Sequence, residues 1–99
     1  MNAAARGALG IIRDCMLEGH YLMLPHFVNQ MGVRGLFWPD VQAVVDEPVD
    51  VLDDGLDEFG RPKWRLRGHT TDRLDLEVVC VIDHDESGAL TVFITAYWR

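Results

Sequence analysis

Residues 74–82, LDLEVVCVI, and 89–98, ALTVFITAYW, constrain this chain more than any other feature. Both are long and rich in β-branched and aromatic residues, which fit a pleated, half-buried surface. Between them lies DHDESG, whose Asp, Ser and Gly belong to hairpin-loop chemistry. Two shorter runs precede them, VDVLD (49–53) and PKWRLRG (62–68), with Gly55, Gly60, Gly68 and Gly88 marking or adjoining the turns. Consecutive strands with short connections predict a four-stranded antiparallel meander. Alternation along 74–82 places Leu76, Val78, Cys80 and Ile82 on one side and Asp75, Glu77, Val79 and Val81 on the other. Trp64 and Leu66 join the buried set, which turns the basic residues of their strand outward.

The N-terminal half reads as helices. From Ala3 to Glu18, Ala5, Ala8, Leu9, Ile12, Cys15 and Met16 fall at three-four spacing, and Gly19 ends the helix. Gly7 and Gly10 each cost up to about 1 kcal/mol against alanine, so the first half of this helix either frays or leans closely on a neighbour. Pro25 suits a first helical turn, and a short helix over His26 to Met31 is predicted, broken by GVRGL. A further helix covers residues 39–46, where Val41, Val44 and Val45 keep the pattern until Pro48 intervenes. Helices grouped before strands predict an α+β fold, two to three N-terminal helices packed on one face of the sheet. Ninety-nine residues, 48% of them hydrophobic, suffice for a single domain, 1–99, with one modest core.

Nine Lys and Arg against sixteen Asp and Glu give a net charge of −7, so the chain as a whole repels nucleic-acid backbones and anionic membranes. Cys15 and Cys80 lack metal-ligand or redox-motif spacing and read as reduced, buried thiols, which fits a cytoplasmic location. No apolar run reaches the roughly 18 residues of a membrane span, and the N-terminus does not resemble a signal peptide.

RPKWRLRG (61–68) puts Arg61, Lys63, Arg65 and Arg67 at alternate positions. With Arg73, five of the nine basic residues lie within thirteen positions, enough for a local positive potential. Yet Asp46, Glu47, Asp50, Asp53, Asp54, Asp57 and Glu58 precede the stripe, and Asp75 and Glu77 follow it. In a meander the basic strand lies between two acidic ones, and a cross-strand charge ladder is the default reading. His20, His26, His69 and His84 share no tight ligand spacing, so no metal or other cofactor is expected. Phe37, Trp38, Trp64, Phe93 and Tyr97 read as core and rim rather than as a base-stacking platform.

HFVNQMGVRGL (26–36), PDVQAVVDEP, GRPKWRLRG and VFITAYW occur in an order that resembles a small bacterial domain-of-unknown-function family. The family pattern is a helix H-x3-R-M-x2-R-G-[IL], a second helix ending near proline, a Gly-Arg strand and a final strand with Ile-Thr. The likeness covers residues 24–98, leaving the N-terminal helix, 1–20, outside it. The family resembles the BrnT and RelE type toxin ribonucleases, which implies helices on a four-stranded antiparallel sheet.

Carried over by position, the resemblance points to His26, Arg34, Gly35, Arg61, Lys63, Gly68 and Thr95. Metal-independent RNA cleavage needs a base for the 2′-hydroxyl, cations for the phosphorane and an acid for the leaving oxygen. On that reading His26 is the acid or base, Arg34, Arg61 and Lys63 hold phosphate, and Tyr97 donates a proton. Two departures from the pattern oppose it: Gln30 replaces the first arginine, and the net charge is the wrong sign for RNA. The reading preferred from sequence is therefore a non-catalytic interaction or regulatory module on a toxin-like fold. Its expected partner is an antitoxin-like or basic protein, and RNA is a partner only on the ribonuclease alternative.

Overall fold

The computed structural model describes all residues, 1–99. Helix α1 (Ala3–Glu18) starts where Asn2 Oδ1 accepts the Ala5 N–H at 2.8 Å and stops at Gly19, whose φ of 72° releases the chain. Ala5, Ala8, Leu9, Ile12 and Cys15 form its buried stripe. Gly7 and Gly10 have open space around them, so they serve no close approach. Helix α2 (Pro25–Arg34) runs three residues beyond its expected end. Gly32 lies within it, at the modest cost glycine carries in a helix interior. The true stop is Gly35 (φ 66°), which lets Leu36 N–H reach the Met31 carbonyl at 2.8 Å. Helix α3 (Trp38–Asp46) begins with the Phe37 N–H bonded to Asp40 Oδ2 at 3.0 Å, and buries Val41, Val44 and Val45.

The meander is formed by β2 (Pro48–Leu56), β3 (Pro62–His69), β4 (Asp75–Asp85) and β5 (Gly88–Trp98), each antiparallel to the next. The expectation of four antiparallel strands requires correction, because the sheet has five and is mixed. Tyr21–Met23 forms β1, which pairs parallel with residues 91–93 of β5 and gives the order β1-β5-β4-β3-β2. Three residues are too few to show an alternation, and the strand's partner lies some seventy positions away in sequence. The ladder there uses Thr91 N–H to His20 O and Leu24 N–H to Phe93 O, so the fifth strand enters only through long-range pairing.

All three helices contribute to one core. Leu76, Val78, Cys80, Ile82, Trp64 and Leu66 face it as expected, together with the α1 and α3 stripes and Phe27 of α2. An aromatic group holds the β1 end of the core: Trp38 and Phe27 lie 5.2 and 5.6 Å from Phe93, and Tyr21 stacks on Trp38 at 5.1 Å. A bulge then shifts the β4–β5 register, since Cys80 pairs with Phe93 but Val79 pairs with Thr95. The extra residue, Ile94, keeps Phe93 and Ala96 in the core while Thr95 and Tyr97 face the helix-free side.

Candidate functional site

The helix-free face carries the basic stripe, and it is drier than alternation alone predicts. Glu77, Val79 and Val81 all point away from the helices, yet they are 0, 2 and 0% exposed. In register, Val79 lies between Arg65 and Thr95, and Val81 between Lys63 and Val92. The alkyl stems of long basic residues are suited to roofing such an aliphatic strip while their charged heads stay wet.

Glu77 is the centre of the polar part. A carboxylate with no exposure is tolerated only when its oxygens are fully paired. Here Arg67 Nε and Arg99 Nη1 donate to Oε1 at 2.6 and 2.9 Å, and Arg65 Nη1 donates to Oε2 at 2.8 Å. Burial pushes the Glu77 carboxyl up, but the hydrogen bonds from Arg67, Arg65 and Arg99 outweigh it and hold it below its ordinary value. Arg65 also bonds Asp54 at 2.9 Å and the Tyr97 hydroxyl oxygen at 2.8 Å. Its guanidinium is held above its ordinary value, chiefly by Glu77. Lys63 shares Asp54 at 3.4 Å. At the far end of the stripe Arg61 joins Asp57 at 2.8 Å and Asp83 at 3.1 Å, and covers the Phe59 ring at 5.1 Å.

Every cation of RPKWRLRG is thus in an ion pair, and the charge ladder is present. Arg61, Lys63, Arg65 and Arg67 face Asp54, Asp57, Glu77 and Asp83, four charges against four. Removing these from nine cations and sixteen anions leaves five and twelve, so the whole net charge of −7 lies outside the ladder. Exposed carboxylates without an ion pair gather along β2 and its entrance: Asp46, Glu47, Asp50 and Asp53, with Glu58 in the following turn.

Of the residues named for the ribonuclease reading, Arg34 and Tyr97 meet. The Arg34 guanidinium lies 5.9 Å from the Tyr97 ring centre and donates to the Ala96 carbonyl at 2.7 Å, on the part of β5 that β1 leaves unpaired. Through the Tyr97 hydroxyl this pair connects to Arg65, and through Asp54 to Lys63. Arg61 is bound to a separate pair of carboxylates. His26 sits exposed on the first turn of α2 and makes no side-chain hydrogen bond or ion pair. Gly35 is the helix stop, and Gly68 is buried against the Glu47 carbonyl and Val44. Thr95 lies opposite Val79 on the ladder's face.

Sequence reasoning missed Glu77 as the organising group and Arg99 as its third partner. The available signal was Glu77 in a strand otherwise apolar from Leu76 to Ile82, next to a strand of alternating cations. In DHDESG, Asp85 takes His20 Nε2 at 2.7 Å, and Asp83 belongs to Arg61.

Three helices against one face of a mixed sheet, with a network of ion pairs on the other, define a small α+β domain. The chain belongs to the family called domain of unknown function DUF4258, which it matches over residues 23–98. No curated protein and no solved structure matches it.

Proposed function

We propose that this domain is a non-catalytic protein-interaction module on a toxin-like fold, kin to the BrnT and RelE toxins, that receives a basic partner along β2. The observation that carries this reading is the separation of charge. The four cations of the basic stripe are paired with four carboxylates within the fold, whereas the edge strand β2 and its entrance present Asp46, Glu47, Asp50 and Asp53 without an ion pair. Fields of one sign at a surface raise association rates with the opposite sign and reject like-charged partners. Strand addition to the edge is hindered by irregular register between Pro48 and Asp50 and between Asp53 and Leu56, so attraction by side-chain charge is the main element.

The test is binding of a labelled Lys/Arg-rich peptide, and recovery of a stoichiometric partner from the native host. Binding that weakens steeply with salt and is lost in Asp46→Asn, Glu47→Gln, Asp50→Asn supports the proposal. Absence of binding at low salt, or equal binding by the triple variant, overturns it.

One observation favours the ribonuclease alternative: the Arg34 guanidinium lies against the Tyr97 ring. In that reading His26 moves the proton, Tyr97 donates one, and Arg34, Arg61 and Lys63 exchange their present partners for phosphate. Growth arrest on expression, RNA cleavage in vitro and loss of both in His26→Ala and Arg61→Ala are its expected results; harmless expression with intact RNA ends it.

A further inference from the structure

The two arginines that share Glu77 Oε1 do more than satisfy it. Arg67 reaches that oxygen through Nε and Arg99 through Nη1, so each guanidinium commits one of its five N–H bonds there and makes no other side-chain hydrogen bond. Both also line a hollow of about 200 Å³ beside the ends of β2, β3 and β4, with Val49, Asp50, Gly68, His69, Asp75 and Leu76 around them. A hollow of this size holds a tetrahedral oxyanion together with a few waters, each of which takes roughly 30 Å³.

We propose that this hollow binds a phosphate group between Arg67 and Arg99. Two guanidiniums drawn onto one carboxylate oxygen repel each other, and Glu77, which Arg65 also shares, leaves most of their N–H groups without a side-chain acceptor. Asp50 and Asp75 also line the hollow and balance the two guanidiniums in charge, so recognition rests on the paired N–H groups rather than on net charge. Asp75 is engaged by His69 Nδ1 at 2.7 Å, and Asp50 lies directly across from Arg67 in the strand register. The planar fork of arginine binds phosphate through paired N–H groups, and the buried Glu77 holds both forks in place before a ligand arrives. A Lys at either position supplies charge without that fork. This site is independent of the β2 surface proposed above for a basic partner, except that Asp50 borders both.

Titration of the 15N-labelled chain with inorganic phosphate, against sodium chloride at equal ionic strength, reads the site directly. Saturating shifts at Arg67, Gly68, His69 and the arginine side-chain Nε signals are expected at millimolar phosphate or below. Binding should weaken at least tenfold in Arg99→Gln, in which Arg65 and Arg67 still hold Glu77 and the remaining spectrum should be unchanged. A phosphoserine peptide titrated in parallel identifies the source: tighter binding than inorganic phosphate marks a phosphorylated chain, and equal or weaker binding marks free phosphate. Shifts that do not saturate, that chloride reproduces, or that persist unchanged in Arg99→Gln overturn the proposal.

Discussion

Arg67 stands directly opposite Glu77 in the β3–β4 register, and its Nε–H meets Glu77 Oε1 at 2.6 Å. The carboxylate has no solvent contact while its partners keep about a third of their side-chain surface in water. The network therefore works from one side: the anion is anchored in the sheet, and the partly exposed arginines stand between it and solvent.

Removing the anchor should cost more than removing any one of these arginines. Glu77→Gln keeps the shape but leaves Arg65, Arg67 and Arg99 without their common acceptor. Breaking a buried pair typically costs about 3–5 kcal/mol, and the part-exposed arginines, which can return to water, place this variant toward the low end. Arg99→Ala leaves two partners on Glu77 and should cost about 1 kcal/mol. Urea midpoints of the two variants measure the difference; equal midpoints would show that Glu77 is no anchor.

The same carboxylate sets the acid limit of the fold. Glu77 lies below its ordinary value, as do Asp57, held by the Arg61 N–H and guanidinium against the effect of burial, and Asp83, held by the His84 N–H and Arg61. A depressed carboxyl contributes stability that is complete above its unfolded value, about pH 4, and is lost as pH falls through the folded value. Stability should be level in its carboxylate contribution above about pH 5 and decline below about pH 4. The decline should be shallower in Glu77→Gln, as followed by urea unfolding at a series of pH values.

His20 and Asp85 give the opposite limb. The hydrogen bond to Asp85 at 2.7 Å raises His20 despite partial burial, and His20 in turn lowers Asp85. A raised histidine contributes stability that is complete below its unfolded value, about 6.5, and disappears as pH rises through the folded one. Wild-type protein should lose a small increment of stability as pH rises above about 6.5, and His20→Gln should not. NMR titration of the imidazole provides the direct check, with a midpoint at or below the ordinary value counting against the pair.

What the sequence disclosed follows from the range over which each interaction acts. Local patterns named α1, α3 and the four meander strands, because periodicity, proline position and turn residues are written within a few neighbours. β1 left no such trace, since Tyr21–Met23 becomes a strand only by meeting residues 91–93. Gly32 and Gly35 could not be ranked as stops without the Leu36 to Met31 hydrogen bond that selects Gly35. The stripe and its acidic neighbours gave the ladder, since register followed from alternation. They did not give the burial of Glu77, because that depends on Arg99, twenty-two positions away, closing over it. Arg34 meeting Tyr97 required knowing that β1 stops short and leaves the Ala96 carbonyl to be capped.

Gly35 is explained by its backbone. At φ 66° a side chain is strained, and open space around the position means the penalty is conformational rather than steric crowding by neighbours. Gly35→Ala should cost about 1–2 kcal/mol, the usual cost of left-handed geometry for an L-residue. Thermal or urea unfolding measures it. The cost should be unaffected by phosphate or by a basic peptide, because the glycine ends a helix and touches neither proposed surface.

Arg34 joins α2 to the open part of β5 at two points, its guanidinium on Ala96 O and its own carbonyl receiving Trp98 Nε1–H, both at 2.7 Å. The first is a charge-assisted bond to a backbone acceptor that no strand covers; such bonds contribute about 1.5–3 kcal/mol, and partial exposure places this one near the lower value. Arg34→Met retains an unbranched apolar stem and removes the donor. It should destabilise by about 1.5 kcal/mol and accelerate hydrogen exchange at the end of α2 and in residues 96–98. Arg34→Lys should recover part of the loss, since an ammonium can donate to one carbonyl but lacks the flat guanidinium that covers the Tyr97 ring. Unchanged exchange in Arg34→Met would show that Trp98 alone holds the helix end to the sheet.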